Sequence, residues 1–328
     1  MSLELIDSWV EQGDVGGVSA VVVDASGTRE TRAAGDARPD SLFALASLTK
    51  PLVATAVLVA VEEGALELDD PVAAHIPEYG DAHRRDITVR HLLAHASGLP
   101  ESVKGTPVLE VLPDRPPATR RVYSNEGYLV LGLLLRAATG IEHARYMKEA
   151  VLDPLGMDAF LPLPDHEYPR ALDVAEPGLV APGVQLFNGP EWRRRGTAAG
   201  GAFATAEAYG RFASFLLAGG APLLHPETLH DLASIQWPGL DGGLESYPKL
   251  HCPDWGLGVN IRGTGGPHWC GDAVSPITMS HFGASGTLFW ADPQAGLGLV
   301  CLANRSTYSG WMLRPGRWLE LTGSVLAG

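Results

Sequence analysis

The apolar positions follow two rhythms, and the switch between them divides the chain. Gly17–Asp24 is a short β-branched run that stops at Ala25-Ser26-Gly27, a turn signal, and Thr28–Ala34 reads as the returning strand of a hairpin. From about Ser47 to Glu63 the period lengthens. Leu52, Val53, Ala56, Val57, Ala60 and Val61 recur at helical spacing, and Gly64 supplies the stop. Pro51 fits only in the first turn of a helix, so this one starts no earlier than about Ala46 or Ser47. Further helical patterns cover Val89–His95, Glu126–Thr139, Ile141–Val151 and Thr205–Leu217, with Pro- and Gly-rich loops at Pro100–Arg121 and Leu161–Gly201. Pro238–Gly271, crowded with Gly, Trp, His and Pro, fits neither rhythm. Strand patterns return at Gly258–Arg262, Thr278–Phe282, Thr287–Ala291 and Leu297–Ala303, before a closing helix at about Gly310–Val325.

Strands at both ends with helices between them predict a mixed α+β fold: one antiparallel sheet built from both termini, flanked by helices. Residues 1–65 and 250–328 are expected to form the sheet domain, and 66–249 a mostly helical insertion, with the functional site at their interface. No internal repeat is present.

Ser47-Leu48-Thr49-Lys50 places a hydroxyl and an amine three residues apart at a helix start. Residues at that spacing share a helical face. The helix N-terminus offers free N–H groups and a positive dipole end, which suits an oxyanion. A serine hydroxyl is inert near neutral pH without an adjacent base, and a lysine one turn along can supply one. Alone the spacing is weak, because serine at such a place ordinarily caps the helix. A second match, Ser246-Tyr247-Pro248-Lys249, is a decoy, since Pro248 lies in a Gly/Pro-rich loop and the two side chains would share no helical face. Tyr123-Ser124-Asn125 precedes the helix expected from Glu126. A phenol near an ammonium is pushed towards phenolate, so Tyr123 could act as a general base. Asn125 could hold Lys50 and a substrate carbonyl, although Ser124 or Asn125 could equally cap the helix. His281-Phe282-Gly283-Ala284-Ser285-Gly286 ends a strand, where glycine allows close backbone approach and the Ala284 N–H could serve as an oxyanion donor.

Composition narrows the field. A chain of 328 residues with 24 basic and 38 acidic side chains carries a formal charge of −14, which repels phosphate backbones and anionic headgroups. Nucleic-acid and membrane partners are therefore not expected. No apolar run reaches the ~18 residues of a membrane span, and Met1–Asp7 lacks the pattern of a secretory signal. Three cysteines are too few and too odd for a disulfide scaffold. The expectation is a soluble cytoplasmic protein of roughly two domains.

Taken together and in this order, Ser47-x-x-Lys50, Tyr123-x-Asn125 and His281-x-Gly283 resemble the three motifs of the serine β-lactamase-like, penicillin-recognising hydrolases. Similar segments surround them: Glu62–Val72, His91-Leu92-Leu93-Ala94-His95-Ala96-Ser97-Gly98-Leu99-Pro100, Pro154-Leu155-Gly156-Met157, Ala199-Gly200-Gly201, and Asp292-Pro293 with Asn304-Arg305. The branch resembled holds class C β-lactamases, family VIII carboxylesterases, D-aminopeptidases and related amidases. The resemblance implies a Ser47 nucleophile activated by Lys50 and Tyr123, with Asn125 orienting substrate. It further implies an oxyanion hole from the Ser47 and Ala284 N–H groups, a substrate-facing strand at His281-Phe282-Gly283, and no metal or cofactor. It leaves open whether Lys50 is a neutral base or a cation tuning Tyr123.

The third motif departs from the Lys-Thr-Gly usual in β-lactamases and peptidoglycan enzymes. His281 is largely neutral at pH 7 and Phe282 removes a hydroxyl donor, which favours small esters over penicillins. A D-amino-acid amidase, a weak β-lactamase and a catalytically silent protein of the same fold are the alternatives. Among other features, His251-Cys252 and His268-Trp269-Cys270 match no established zinc spacing and read as a cleft loop. Arg193-Arg194-Arg195 reads as a solvated loop, and His91 with His95 lacks a third metal ligand. Trp255, Trp269 and Trp290 belong to a pocket wall or to the core.

Overall fold

A computed structural model describes residues 3–175, 185–247, 250, 252–311 and 316–328. Lys249 of the decoy motif and His251 lie outside the described residues. The frame is a six-stranded antiparallel sheet in the order Gly27–Gly35, Gly17–Asp24, Leu297–Ala303, Thr287–Asp292, Met279–Gly283, Asn260–Ile261. Val18 stands opposite Ala303 and Val23 opposite Gly298, so the first hairpin is joined to the final strands, as the sequence pattern predicts.

The strand Gly17–Asp24 is apolar without alternation because both of its faces are buried. Val18, Ala20 and Val22 pack with Trp9, Trp290, Trp318 and Leu321, under the helices Leu5–Glu11 and Arg317–Ala327. Val21 and Val23 pack on the other side with Tyr209, Phe212 and Phe289. Helix Ala206–Leu217, within the span expected to be inserted, lies on this second face. A Cβ at its Gly210 would touch the Cγ1 atoms of Val21 and Val23 at 3.2 Å.

The helix Thr49–Glu62 is buried from Thr49 to Leu58, so it is a core helix and not a one-sided amphipathic one. A single turn at Ala46–Leu48 leads into it. The expected helix Ile141–Val151 is an α-helix, His143–Met147, that widens into a π-type turn at Lys148–Leu152. The Arg193–Arg195 run, expected in a loop, ends the short helix Pro190–Arg195. Among the described residues no helix is long and apolar enough to cross a membrane.

Candidate active site

Ser47 sits where three segments meet. Ala46, just before it, has φ +46°, a strained value for a residue with a Cβ. The neighbouring backbone is pinned on two sides. Leu45 N–H donates to Ala202 O at 2.9 Å and Ala202 N–H to Thr49 Oγ1 at 3.0 Å, which brings residues 199–202 alongside the helix start. Thr287 Oγ1 donates to Leu45 O at 3.0 Å, and Ser285 Oγ donates to Ala44 O, which brings in the end of the third-motif strand. Ser47 makes no capping bond, so the ordinary role of serine at a helix start does not apply.

Lys50 is fully buried one turn along. Its Nζ lies 3.0 Å from Ser47 Oγ, 2.7 Å from Asn125 Oδ1 and 2.6 Å from Ala199 O. Burial pulls the ammonium down to about 7, with the Glu101 carboxylate pulling the other way. Two of its three neighbours can only accept. A neutral amine therefore spends its two N–H groups on Asn125 and Ala199 and turns its lone pair to the serine proton. Asn125 is held for this role, because its Nδ2 donates to Ser102 Oγ at 2.8 Å and its N–H to Glu101 O at 2.8 Å. The helix that it opens, Asn125–Thr139, is capped by Ser124, whose Oγ accepts from Gly127 N–H at 3.0 Å.

The Tyr123 phenol is buried beside Ser47 and its oxygen has no hydrogen-bond partner among the described residues. Burial raises its pKa well above the ordinary value, and the nearby Ser47 hydroxyl opposes this only in part. Burial therefore opposes the phenolate that a nearby ammonium would favour. Lys50 Nζ lies over the ring, 4.8 Å from its centroid, and does not bond the phenolic oxygen, so the resting group is a neutral phenol.

The segment 88–100 clamps Tyr123. Val122 N–H donates to His95 O at 3.0 Å, and Ser124 N–H donates to His95 Nδ1 at 3.0 Å. The His95 ring packs 4.5 Å from the Tyr123 ring. On the far side Tyr123 N–H donates to Gly243 O at 3.0 Å. His91 serves elsewhere, in a capping box with Thr88.

His281 and Phe282 line the cavity, whereas Gly283 presses on the turn that carries Ser47. A Cβ at Gly283 would lie 2.2 Å from Leu45 O. On the third-motif strand Asn260–Ile261 pairs with Ser280 and Met279, and among the described residues no strand pairs with that side from His281 onwards. The Ser47 and Ala284 N–H groups make no hydrogen bond among the described residues, as an oxyanion hole requires. His281 Nδ1 donates to Phe282 O at 2.8 Å, and burial followed by the nearby Lys50 pulls its pKa down to about 3, so it is neutral.

These groups open into a cavity of about 680 Å³ with aromatic walls, including Trp192, Tyr247, Trp255, Trp269 and Tyr308. Trp290 belongs to the core instead, donating to Thr322 Oγ1 at 3.1 Å. Of the cleft-loop residues, Trp269 reaches the cavity. His268 is tied up behind it, with Nε2 on Asn260 Oδ1 at 2.7 Å and Nδ1 accepting from Cys270 N–H at 3.1 Å. Burial pushes the Cys252 thiol up to about 12. Among the described residues no cluster of three or more His, Cys, Asp or Glu could hold a metal ion. Two participants were not singled out from the sequence: the Ala199 carbonyl and Glu101.

Residues 4–319 match the profile of the Beta-lactamase family, and the chain belongs to that family. It is similar to a β-lactamase of known structure from Mycobacterium bovis, with 37% identity, 98% of each chain covered and a TM-score of 0.73. It is also similar to esterase EstB of Burkholderia gladioli, 46% identical over 79 residues that make up 23% of this chain and 20% of EstB. A third relative is penicillin-binding protein 4* of Bacillus subtilis (strain 168), 29% identical over 140 residues, 37% of this chain and 30% of that one. The chain thus spans less than a third of the length of these two curated relatives.

Proposed function

We propose that the chain is a serine hydrolase that cleaves small esters through an acyl-enzyme. The observation that carries this reading is the 3.0 Å contact between Lys50 Nζ and Ser47 Oγ, with the other amine protons committed to Asn125 and Ala199. Ser47 Oγ attacks the ester carbonyl as its proton passes to Lys50 Nζ, and the carbonyl oxygen collects its charge between the Ser47 and Ala284 N–H groups. The C–O bond then breaks. The departing alkoxide, hydrogen-bonded by the Tyr123 hydroxyl, takes the proton held on Lys50 Nζ, which restores the neutral amine. Water reverses the sequence and releases the acid. The neutral His281 offers no fixed cation for a penicillin carboxylate, which favours simple esters over lactams.

Ser47→Ala should abolish labelling by a fluorophosphonate probe, while Ser246→Ala keeps it. Labelling that survives the first change overturns the site. A panel of p-nitrophenyl butyrate, a D-amino-acid amide and nitrocefin tests the substrate class. Turnover of the amide alone overturns the ester reading.

A further inference from the structure

Besides the groups used above, the charged side chains Glu101, Lys104, Glu126 and Arg195 line the cavity. Glu101 lines the cavity that holds Ser47. Its backbone carbonyl accepts the Asn125 N–H at 2.8 Å, which fixes the residue beside the catalytic cluster. Ser246 Oγ donates to its Oε1 at 2.5 Å, so the decoy serine acts as a brace for this carboxylate. The same carboxylate pushes up the phenols of Tyr123, Tyr247 and Tyr308 and supports the Lys50 ammonium, which places it among all four. No arginine or lysine forms an ion pair with it among the described residues. Arg195, the cavity's guanidinium, is paired with Glu191 at 2.7 Å. The wall next to Glu101 is aromatic: Tyr247 stacks with Tyr308 at 6.0 Å between centroids and meets Phe282 edge-on at 5.2 Å. The Tyr247 hydroxyl is bonded to Thr307 Oγ1 at 2.7 Å, which ties that ring in place.

A carboxylate with no ion-pair partner among the described residues, set against fixed aromatic rings, is the chemistry that recognises ammonium and quaternary ammonium groups. Resting on the hydrolase reading, we infer that Glu101 is a specificity-determining residue and that the preferred esters carry a cationic nitrogen, received by this carboxylate and the Tyr247–Tyr308 wall. Glu101 touches the remote part of the substrate and not the scissile bond. It therefore acts on the relative kcat/KM of charged and uncharged substrates, without a step of its own.

The test compares isosteric pairs that differ only in N⁺ against C. Acetylthiocholine is set against 3,3-dimethylbutyl thioacetate, with the charge on the leaving group. The p-nitrophenyl esters of 4-trimethylammoniobutyrate and 5,5-dimethylhexanoate place it on the acyl group. In at least one pair the cationic member should lead by about tenfold in kcat/KM, the scale of one cation–π contact with electrostatic help. In Glu101→Gln, which keeps the side-chain shape and the Ser246 contact, that ratio should fall towards one. The preference should also shrink as salt rises, which wild-type enzyme alone can show if E101Q does not fold. Ratios near one in both pairs, with the neutral esters turned over, overturn the inference and leave the hydrolase reading standing. A tenfold ratio that E101Q or salt leaves unchanged overturns the role of Glu101. If no ester is turned over and no acyl adduct forms, both readings fall together.

Discussion

Gly283 offers a way to disturb the proposed oxyanion hole without deleting any reacting group. Its φ is not in the left-handed region, so alanine is strained there by crowding alone. An added Cβ would sit 2.2 Å from Leu45 O and 2.3 Å from Thr287 Oγ1. Comfortable contact begins near 3.4 Å, so the strand end must retreat from the nucleophile turn by about 1 Å. That retreat carries the Ala284 N–H with it and breaks the 3.0 Å Thr287–Leu45 hydrogen bond. A misplacement of about 1 Å at a reacting centre costs on the order of a hundredfold in rate. Crowding and the lost bond together cost about 2–3 kcal/mol of stability. Gly283→Ala should therefore lower kcat on p-nitrophenyl butyrate about a hundredfold, with KM within about threefold, since the donors act mainly on the transition state. Gly323→Ala is the control: a Cβ there meets nothing within 4 Å, and the change should be neutral or mildly stabilising. The assay is steady-state kinetics with urea unfolding on the same preparations. If Gly283→Ala keeps kcat within threefold of wild type while folded, the placement of the oxyanion hole at this strand end is wrong.

Lys50 acts as a base only when neutral, so kcat/KM should rise through a pH of about 7 and then level; a profile already flat below pH 6 refutes the assignment. The same group sets a stability trend. Its folded pKa of about 7 lies below its ordinary 10.5, so the unfolded chain binds this proton more tightly and stability should climb between those values, a gain that Lys50→Met removes in urea titrations. Tyr123→Phe removes a buried hydroxyl that has no hydrogen-bond partner among the described residues beyond the nearby Ser47 hydroxyl, so its melting temperature should change little while kcat falls by about a hundredfold or more. A matching loss of stability would instead make the phenol a structural group.

The parts of the fold that were legible are those where local chemistry and final packing agree. Leu297–Ala303 is bounded by turn residues and forms the strand that its pattern predicts. Leu5–Glu11 was not anticipated, because seven residues make too short a helix to show itself without the sheet face that Ile6 and Trp9 cover. Asn260–Ile261 is shorter than its β-rich pattern, Gly258–Arg262, since Gly258 turns away at φ +89° and its N–H donates to Leu93 O instead of to a strand. In the candidate site, helical spacing alone was a weak signal for Ser47 and Lys50, although it does place their side chains in contact. Tyr123 and Asn125 required the resemblance, because no local pattern distinguishes a catalytic Tyr-Ser-Asn from a helix cap, and Ser124 is indeed a cap. The Ala199 carbonyl has no side-chain signature at all. Glu101 is one acid among 38, and only the cavity singles it out.

The strand Gly17–Asp24, second from one edge of the sheet, has its hairpin partner beside it in sequence, but its other neighbour is Leu297–Ala303. A ribosome therefore exports the nucleophile helix long before the strand that seals the layer beneath it. A chain cut short before residue 284 lacks the Ala284 N–H of the proposed oxyanion hole, so by the proposed route such a product should not turn over esters.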